Sequence, residues 1–434
     1  MKRKFKIILG MSLLAGLVLI SCKKDEKKDE YDVKYASYTA EENKQNLEDM
    51  GVEMMSEVDA LKDEEAIQIS IQMLSRMLSS ESEELKSMAS SDIMAPIDLV
   101  SRIKREDFNP AEFAKSLKDA QQEDPESLGE FMDEYAGTYT WNFELEDFDY
   151  VEGSDVIIIN FPALETHVTN TATLTISNVA DFVVTESVDG EMLPNPPLSL
   201  SANLAYNSST LISYNFTATY QSNGMPTSIS TILTIGAFSF SADLTHTPYT
   251  KASVKYSFKH TDDILLEFYY EMSGNWDEDH IASVDEDFDI INSANAYIQI
   301  MDIKVKGRVN AKGLADKMEQ LDKDENADID DYEAAINQYV DLIVIYVETG
   351  EKICEADVEL IEDTYDVCWS YDYYTGECTY WDTETEIEPV IVLTFSDGSP
   401  VNYDEYFGDG FDEVLDAWED FEMEVNDDLG LDTK

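Results

Sequence analysis

Histidine is scarce in this chain. His167, His246, His260 and His280 are scattered over 434 residues, and none stands at motif spacing from a cysteine or serine. There is no Gly-x-Ser-x-Gly, no His-Glu-x-x-His and no glycine-rich phosphate loop. The signatures of the common nucleophilic, zinc-hydrolase and nucleotide-binding enzymes are therefore missing. Acid pairs for glycan processing remain conceivable, but 92 carboxylates offer too many pairs to single one out. A non-catalytic role is the expectation. Positive charge is scarce too: 29 Lys and Arg face those 92 acids, for a net charge of −63. Such a chain repels phosphate backbones, which excludes nucleic acid as a partner and makes divalent cations the natural small ones. Its 43% hydrophobic and 11% aromatic content nevertheless supplies a real core rather than a disordered acidic tail.

A long apolar run is also lacking at the start. Ile7 to Ile20 gives 14 uncharged residues, against about 20 for a spanning helix. Lys2, Arg3, Lys4 and Lys6 precede it, as in an export signal. The run ends in Leu19-Ile20-Ser21-Cys22. This resembles the lipobox of bacterial lipoproteins, in which cleavage before the cysteine leaves its thiol to carry a diacylglycerol. The resemblance implies Cys22 as the first mature residue and the lipidation site. Loss of the signal removes four cations and no acid, taking the charge from −63 to −67. The next eight residues, Lys23 to Glu30, are all charged and read as a solvated tether. They resemble the export signal of surface lipoproteins of the Bacteroidota. The implied location is the outer membrane, lipid-anchored and surface-exposed, with the periplasmic face as the alternative.

Cysteine is sparse beyond Cys22. Cys354, Cys368 and Cys378 lie within 25 residues, at spacings unlike those of zinc sites. An odd count leaves one thiol over and the pairing open. A Cys368–Cys378 bridge across an expected hairpin is the preferred choice.

Periodicity divides the rest. Thr39-Ala40-Glu41-Glu42 fits a capping box, followed by the stripes Leu47, Met50, Met54, Val58, Leu61 and Ile67, Ile71, Leu74, Leu78. Ser79 to Ser91 reads as a loop. Asn109-Pro110 opens another helix, and Glu126 to Tyr135 forms a short one ahead of Gly137. Period-two alternation then runs to Val309, as in Ile212, Tyr214, Phe216, Ala218 and Tyr220. That pattern implies eight to ten half-buried antiparallel strands, with Tyr297–Val309 the last, and with Asp189-Gly190, Asn207-Ser208 and Asn223-Gly224 as turns. Lys251, Lys255 and Lys259 on one polar face suggest a blunted edge. Ile336, Val340, Ile343 and Val347 recur at helical steps. Residues 352–396 return to strands rich in Trp and Tyr, with a turn at Thr375-Gly376. A helix bearing Phe411, Leu415, Trp418, Phe421 and Val425 closes the chain.

Asp322, Asp324, Asn326, Asp328, Asp330 and Glu333 occupy positions 1, 3, 5, 7, 9 and 12 of a loop between two helical stripes, with Ile329 at position 8. The segment resembles an EF-hand, and the resemblance implies calcium held by those six residues. Ala327 departs from it, because position 6 needs the left-handed backbone that glycine provides.

The organisation expected is a signal peptide (1–21), a charged tether (22–36), an N-terminal helical segment (37–136), an antiparallel sheet (137–310), a helical pair with an acidic loop (311–348) and C-terminal strands with a helix (349–434). The fold class is α+β: a large antiparallel β-meander, as a curved sheet or half-barrel, with helices at both ends and an inserted helical pair. The expected function is a binding or structural module of the cell envelope. The alternative is a half-barrel carrier of a lipid or other apolar ligand.

Overall fold

The computed structural model describes residues 31–91, 94, 97, 100, 128–153, 155–187, 192–276, 290–324, 326–371 and 378–402. The signal peptide, Cys22, the expected helices at Asn109 and Phe411, and the turns at Asp189 and Thr375 lie outside them. Six helices are defined: α1 (Ala40–Lys62), α2 (Glu65–Ser79), α3 (Glu83–Ala89), α4 (Leu128–Tyr135), α5 (Ala311–Lys323) and α6 (Ile329–Tyr339). No described helix is long and apolar enough to cross a membrane.

Sixteen strands form one open sheet. They are β1 (Gly137–Asn142), β2 (Asp147–Glu152), β3 (Ile157–Phe161), β4 (Ala172–Asp181), β5 (Pro197–Tyr206), β6 (Ser209–Tyr220), β7 (Pro226–Ile235), β8 (Phe238–Thr247), β9 (Lys251–His260), β10 (Asp263–Gly274), β11 (Ile291–Ile300), β12 (Ile303–Val309), β13 (Val340–Tyr346), β14 (Lys352–Tyr371), β15 (Cys378–Phe395) and β16 (Pro400–Asn402). From β3 to β16 each strand pairs antiparallel with the next. β1 pairs parallel with β3 and antiparallel with β2, which forms the far edge. The α+β meander is thus as expected, but larger. Tyr297–Val309 is a hairpin rather than one strand, reversed at Met301, whose φ is +50°. The Asn207-Ser208 turn has φ of +47° and +68°, the mirror-type reversal that suits a twisted hairpin.

Alternation places one face inward. Leu174, Leu204, Ile212, Tyr214, Leu233 and Phe240 are fully buried on neighbouring strands. The inner face is covered by the chain's own helices. Capping holds α1 as its sequence implies: Thr39 accepts the Glu42 N–H at 3.2 Å and Glu42 accepts the Thr39 N–H at 2.8 Å. Its first half packs Leu47 with Leu342, Val344 and Tyr346, and its second half joins the larger core. In α2, Ile67, Ile69, Met73 and Met77 are all fully buried, a stripe too broad for a helix lying on a flat surface. α4 is fastened from across the fold: the Asp181 carboxylate on β4 accepts the N–H groups of Leu128 and Gly129 at 3.1 and 2.9 Å.

Three expectations are corrected. Residues 79–91 contain α3, capped by Ser82 and burying Leu85 and Met88. Val340–Tyr346 is a strand, not more helix: its Leu342–Ile345 apolar run, three of four β-branched, lies between β12 and β14, with Leu342, Ile343 and Val344 buried. Lys251, Lys255 and Lys259 do not mark an edge, since β9 lies between β8 and β10.

Truncation of a helix side chain against the sheet should be costly. Met73→Ala is expected to lose about 2–5 kcal/mol in urea unfolding. Ile232→Thr on the opposite face, where Ile232 is 44% exposed, should stay within about 0.5 kcal/mol.

Candidate functional site

The acidic loop between α5 and α6 does not gather its donors. Asp322 accepts the Tyr332 hydroxyl at 3.0 Å. Asp324 accepts both the backbone and side-chain N–H of Asn326, which hold its carboxyl below the usual range. Asp328 is the N-cap of α6, in a reciprocal box with Asp331. Asp330 lies in the first turn of the same helix, where the dipole favours a negative charge. Glu333 accepts the Leu360 N–H of β14 at 3.1 Å. Ala327 is not among the residues with left-handed backbone, so the sharp EF-hand turn is not made. Among the described residues no three carboxylate, histidine or cysteine side chains are gathered as a metal site.

Glu333 has a different, structural partner. β13 pairs with β14 only as far as Ala356. Beyond it, Asn337 of α6 donates to the Val358 carbonyl and accepts the Val358 N–H, each at 2.8 Å. Asn337 and Glu333 thus stand in for a strand along an edge that would otherwise be open. From Ile361 onward, β14 pairs only with β15 among the described residues. A long two-stranded ribbon results.

Cys354 is buried, its thiol pushed up to about 12 by burial and then by Glu355, so little thiolate forms. Cys368 and Cys378 are both on the ribbon but are not register partners. Cys368 faces Trp381 and Cys378 faces Tyr371. The described histidines have local roles: His167 with Thr171 at 2.9 Å, His246 with the Pro226 carbonyl at 3.3 Å, and His260 with Glu57 at 2.7 Å.

The densest polar cluster is on the outer face of β9–β13. Register aligns Lys255, Tyr269, Tyr297 and Lys306 in one row across β9, β10, β11 and β12. Lys255 lies 2.9 Å from Glu267, which accepts the Tyr297 hydroxyl at 2.7 Å. Lys251 lies 2.8 Å from Glu271, which also accepts from Tyr269 at 2.6 Å and Asn295 at 3.2 Å. Tyr269 and Tyr297 stack with centroids 5.2 Å apart, and the Lys304 ammonium sits 4.0 Å above the Tyr297 ring. Arg308 meets Asp341 at 2.6 Å. Glu267 is only 3% exposed. Burial alone pushes its carboxyl up, but the Tyr297 hydroxyl, Lys255 and Lys304 outweigh this and hold it below the usual range. Burial and the hydrogen bonds to Glu267 and Glu271 raise the Tyr297 and Tyr269 phenols, which stay protonated. Strand-by-strand inspection of the sequence misses this cluster. Its signal, Lys304-Lys306-Arg308 alternating on β12, acquires meaning only once register supplies the partners.

Comparison with family models, with curated proteins and with solved structures finds no match. The class of protein rests on the chain's own features.

Two outcomes are expected. Asp328→Ala should cost about 0.5–2 kcal/mol as a lost cap. Thermal melts in EDTA and in calcium should show the same loss, whereas a loss confined to calcium would assign the loop to the ion. Glu267→Gln should cost about 1–3 kcal/mol near neutral pH, because Lys255 loses its carboxylate partner. The depressed carboxyls of Glu267 and Glu271 stabilise the fold above the ordinary glutamate range, and this is lost as pH falls through their folded values. The gap between wild type and Glu267→Gln should therefore narrow on acidification below about pH 4.

Proposed function

We propose that this protein is a non-catalytic module of the bacterial envelope, held at the outer membrane by acylation of Cys22 and presenting a polar sheet face and a β-ribbon to partners. The observation that carries this reading is the filling of the apolar face. Met73 and Met77 of α2 are fully buried in the same cluster as Tyr214, Phe240 and Phe258 of the sheet. A carrier needs an enclosed apolar space for its cargo; here the chain's own helices take the position that cargo would have on the sheet. Recognition then falls to what lies outside: the outer face, and the β14–β15 ribbon. Residues 361–389 of that ribbon contain nine acids and no Lys or Arg. Such charge keeps an open strand edge from pairing with copies of itself.

Metabolic labelling with a fatty-acid probe should mark the wild type and leave Cys22→Ser unlabelled. Native mass spectrometry of the purified protein should give the polypeptide and its acyl groups alone. A stoichiometric apolar molecule released only on unfolding would instead make it a carrier.

A further inference from the structure

The cations of this chain are segregated. No Lys or Arg occurs between Lys118 and Lys251, or between Lys352 and Lys434. Strands β1–β8, β10, β11, β13, β15 and β16 carry none. Those of the sheet are confined to β9 (Lys251, Lys255, Lys259), β12 (Lys304, Lys306, Arg308) and Lys352 at the start of β14. By strand alternation and register, the six on β9 and β12 share the outer face, where β9–β13 set Glu267, Glu271 and Asp341 against them. Among the described residues of β9–β13, that face thus carries six cations and three acids, in a chain with about three acids per cation overall.

The chain enters the fold at that face. Tyr31 is 7% exposed, with the Lys306 ammonium 4.6 Å and the Arg308 guanidinium 4.3 Å from its ring. Tyr35 then bridges to Lys352, and the Ala36 N–H donates to the Lys352 carbonyl at 2.7 Å. The entry point is therefore fixed by ring stacking and backbone hydrogen bonds. Eight residues separate Cys22 from Tyr31, and fully extended the segment spans only about 30 Å. β12 lies eleven strand spacings from the β2 edge, about 50 Å along the sheet. The tether thus keeps the β12 end of the sheet within about 30 Å of Cys22, and it sets no such limit on the β2 edge.

We propose that the outer face of β9–β13 is the membrane-facing surface of the protein, docking against anionic, phosphate-bearing lipid headgroups. The inference rests on acylation of Cys22. Charge and tether act together: the acyl chains supply residence, and the cationic face sets orientation. The acidic remainder, including the β14–β15 ribbon, is repelled outward. Screening falls off over about 8 Å at physiological salt, so the effect needs contact rather than long reach.

The test is lysine acetylation footprinting of the full-length acylated protein, read by mass spectrometry. It is run in vesicles of phosphatidylcholine with and without phosphatidylglycerol, and in detergent. Lys259, Lys304 and Lys306 should be modified several-fold more slowly in the anionic vesicles than in detergent, and high salt should restore the rate. Lys44 on α1 and Lys312 and Lys323 on α5 should be unchanged. In Lys259→Gln/Lys306→Gln, with an unaltered melting curve, protection of Lys304 should shrink. Equal rates in all three media, or protection centred on Lys312 and Lys323, would overturn the orientation while leaving the anchor intact. A wild type that carries no acyl group and fails to float with vesicles would remove the anchor, and this inference with it.

Discussion

An open sheet of sixteen strands sets a continuous row of Ile, Leu, Phe and Tyr side chains on one side, and water cannot be left against them. Each buried aromatic or aliphatic side chain favours the folded state by roughly 1.5–3 kcal/mol. The N-terminal helices meet that demand. α2 is buried over a wide arc because its neighbouring helices and the strands share one core with it, and α1 extends the cover toward β12–β15. The rest of the architecture follows from this contact. Pairing registers are fixed because a one-residue slip would turn Tyr214 or Phe240 outward. The far end of α4 is tied by Asp181 because its own face must stay seated on β4.

With one face covered by the chain's own helices, the other is left to solvent. The outer face is largely polar, with exceptions such as Ile232 and Ile343, and it is not uniform. Over β4–β8 it is Ser- and Thr-rich, with hydroxyl pairs such as Thr219 and Ser228 at 2.7 Å. Over β9–β13 it becomes a charged and aromatic lattice in which Glu267 and Glu271 are held ionised by lysines and tyrosines. The great excess of acid elsewhere has definite local roles. Asp328 and Glu42 cap helices, and Glu333 shields a strand edge.

Several elements were legible because their causes are local. The Thr39 capping box, the α1 stripe and the period-two strands from Gly137 onward depend on neighbours within a few residues. Others were not. Ile336, Val340, Ile343 and Val347 satisfy a helical period, yet Val340 begins a strand because β12 offers a ladder that the isolated segment cannot anticipate. Ser79–Ser91 reads as too polar for a helix; Leu85 and Met88 form one because they pack into the main core. The EF-hand pattern matches at six positions, but Ala327 does not take the left-handed backbone of position 6, and spacing says nothing about dihedral angles.

The sequence by itself determined the strand-dominated composition of the fold, the helix caps and the extreme negative charge, because those depend on residue type and short-range spacing. Only the tertiary structure decided which face the helices cover, that Lys255 finds Glu267, that Asn337 replaces a missing strand, and that the chain enters the fold beneath Lys306 and Arg308. Each of those pairs residues far apart in the chain, and register, which is set by packing the whole sheet at once, is the quantity that brings them together.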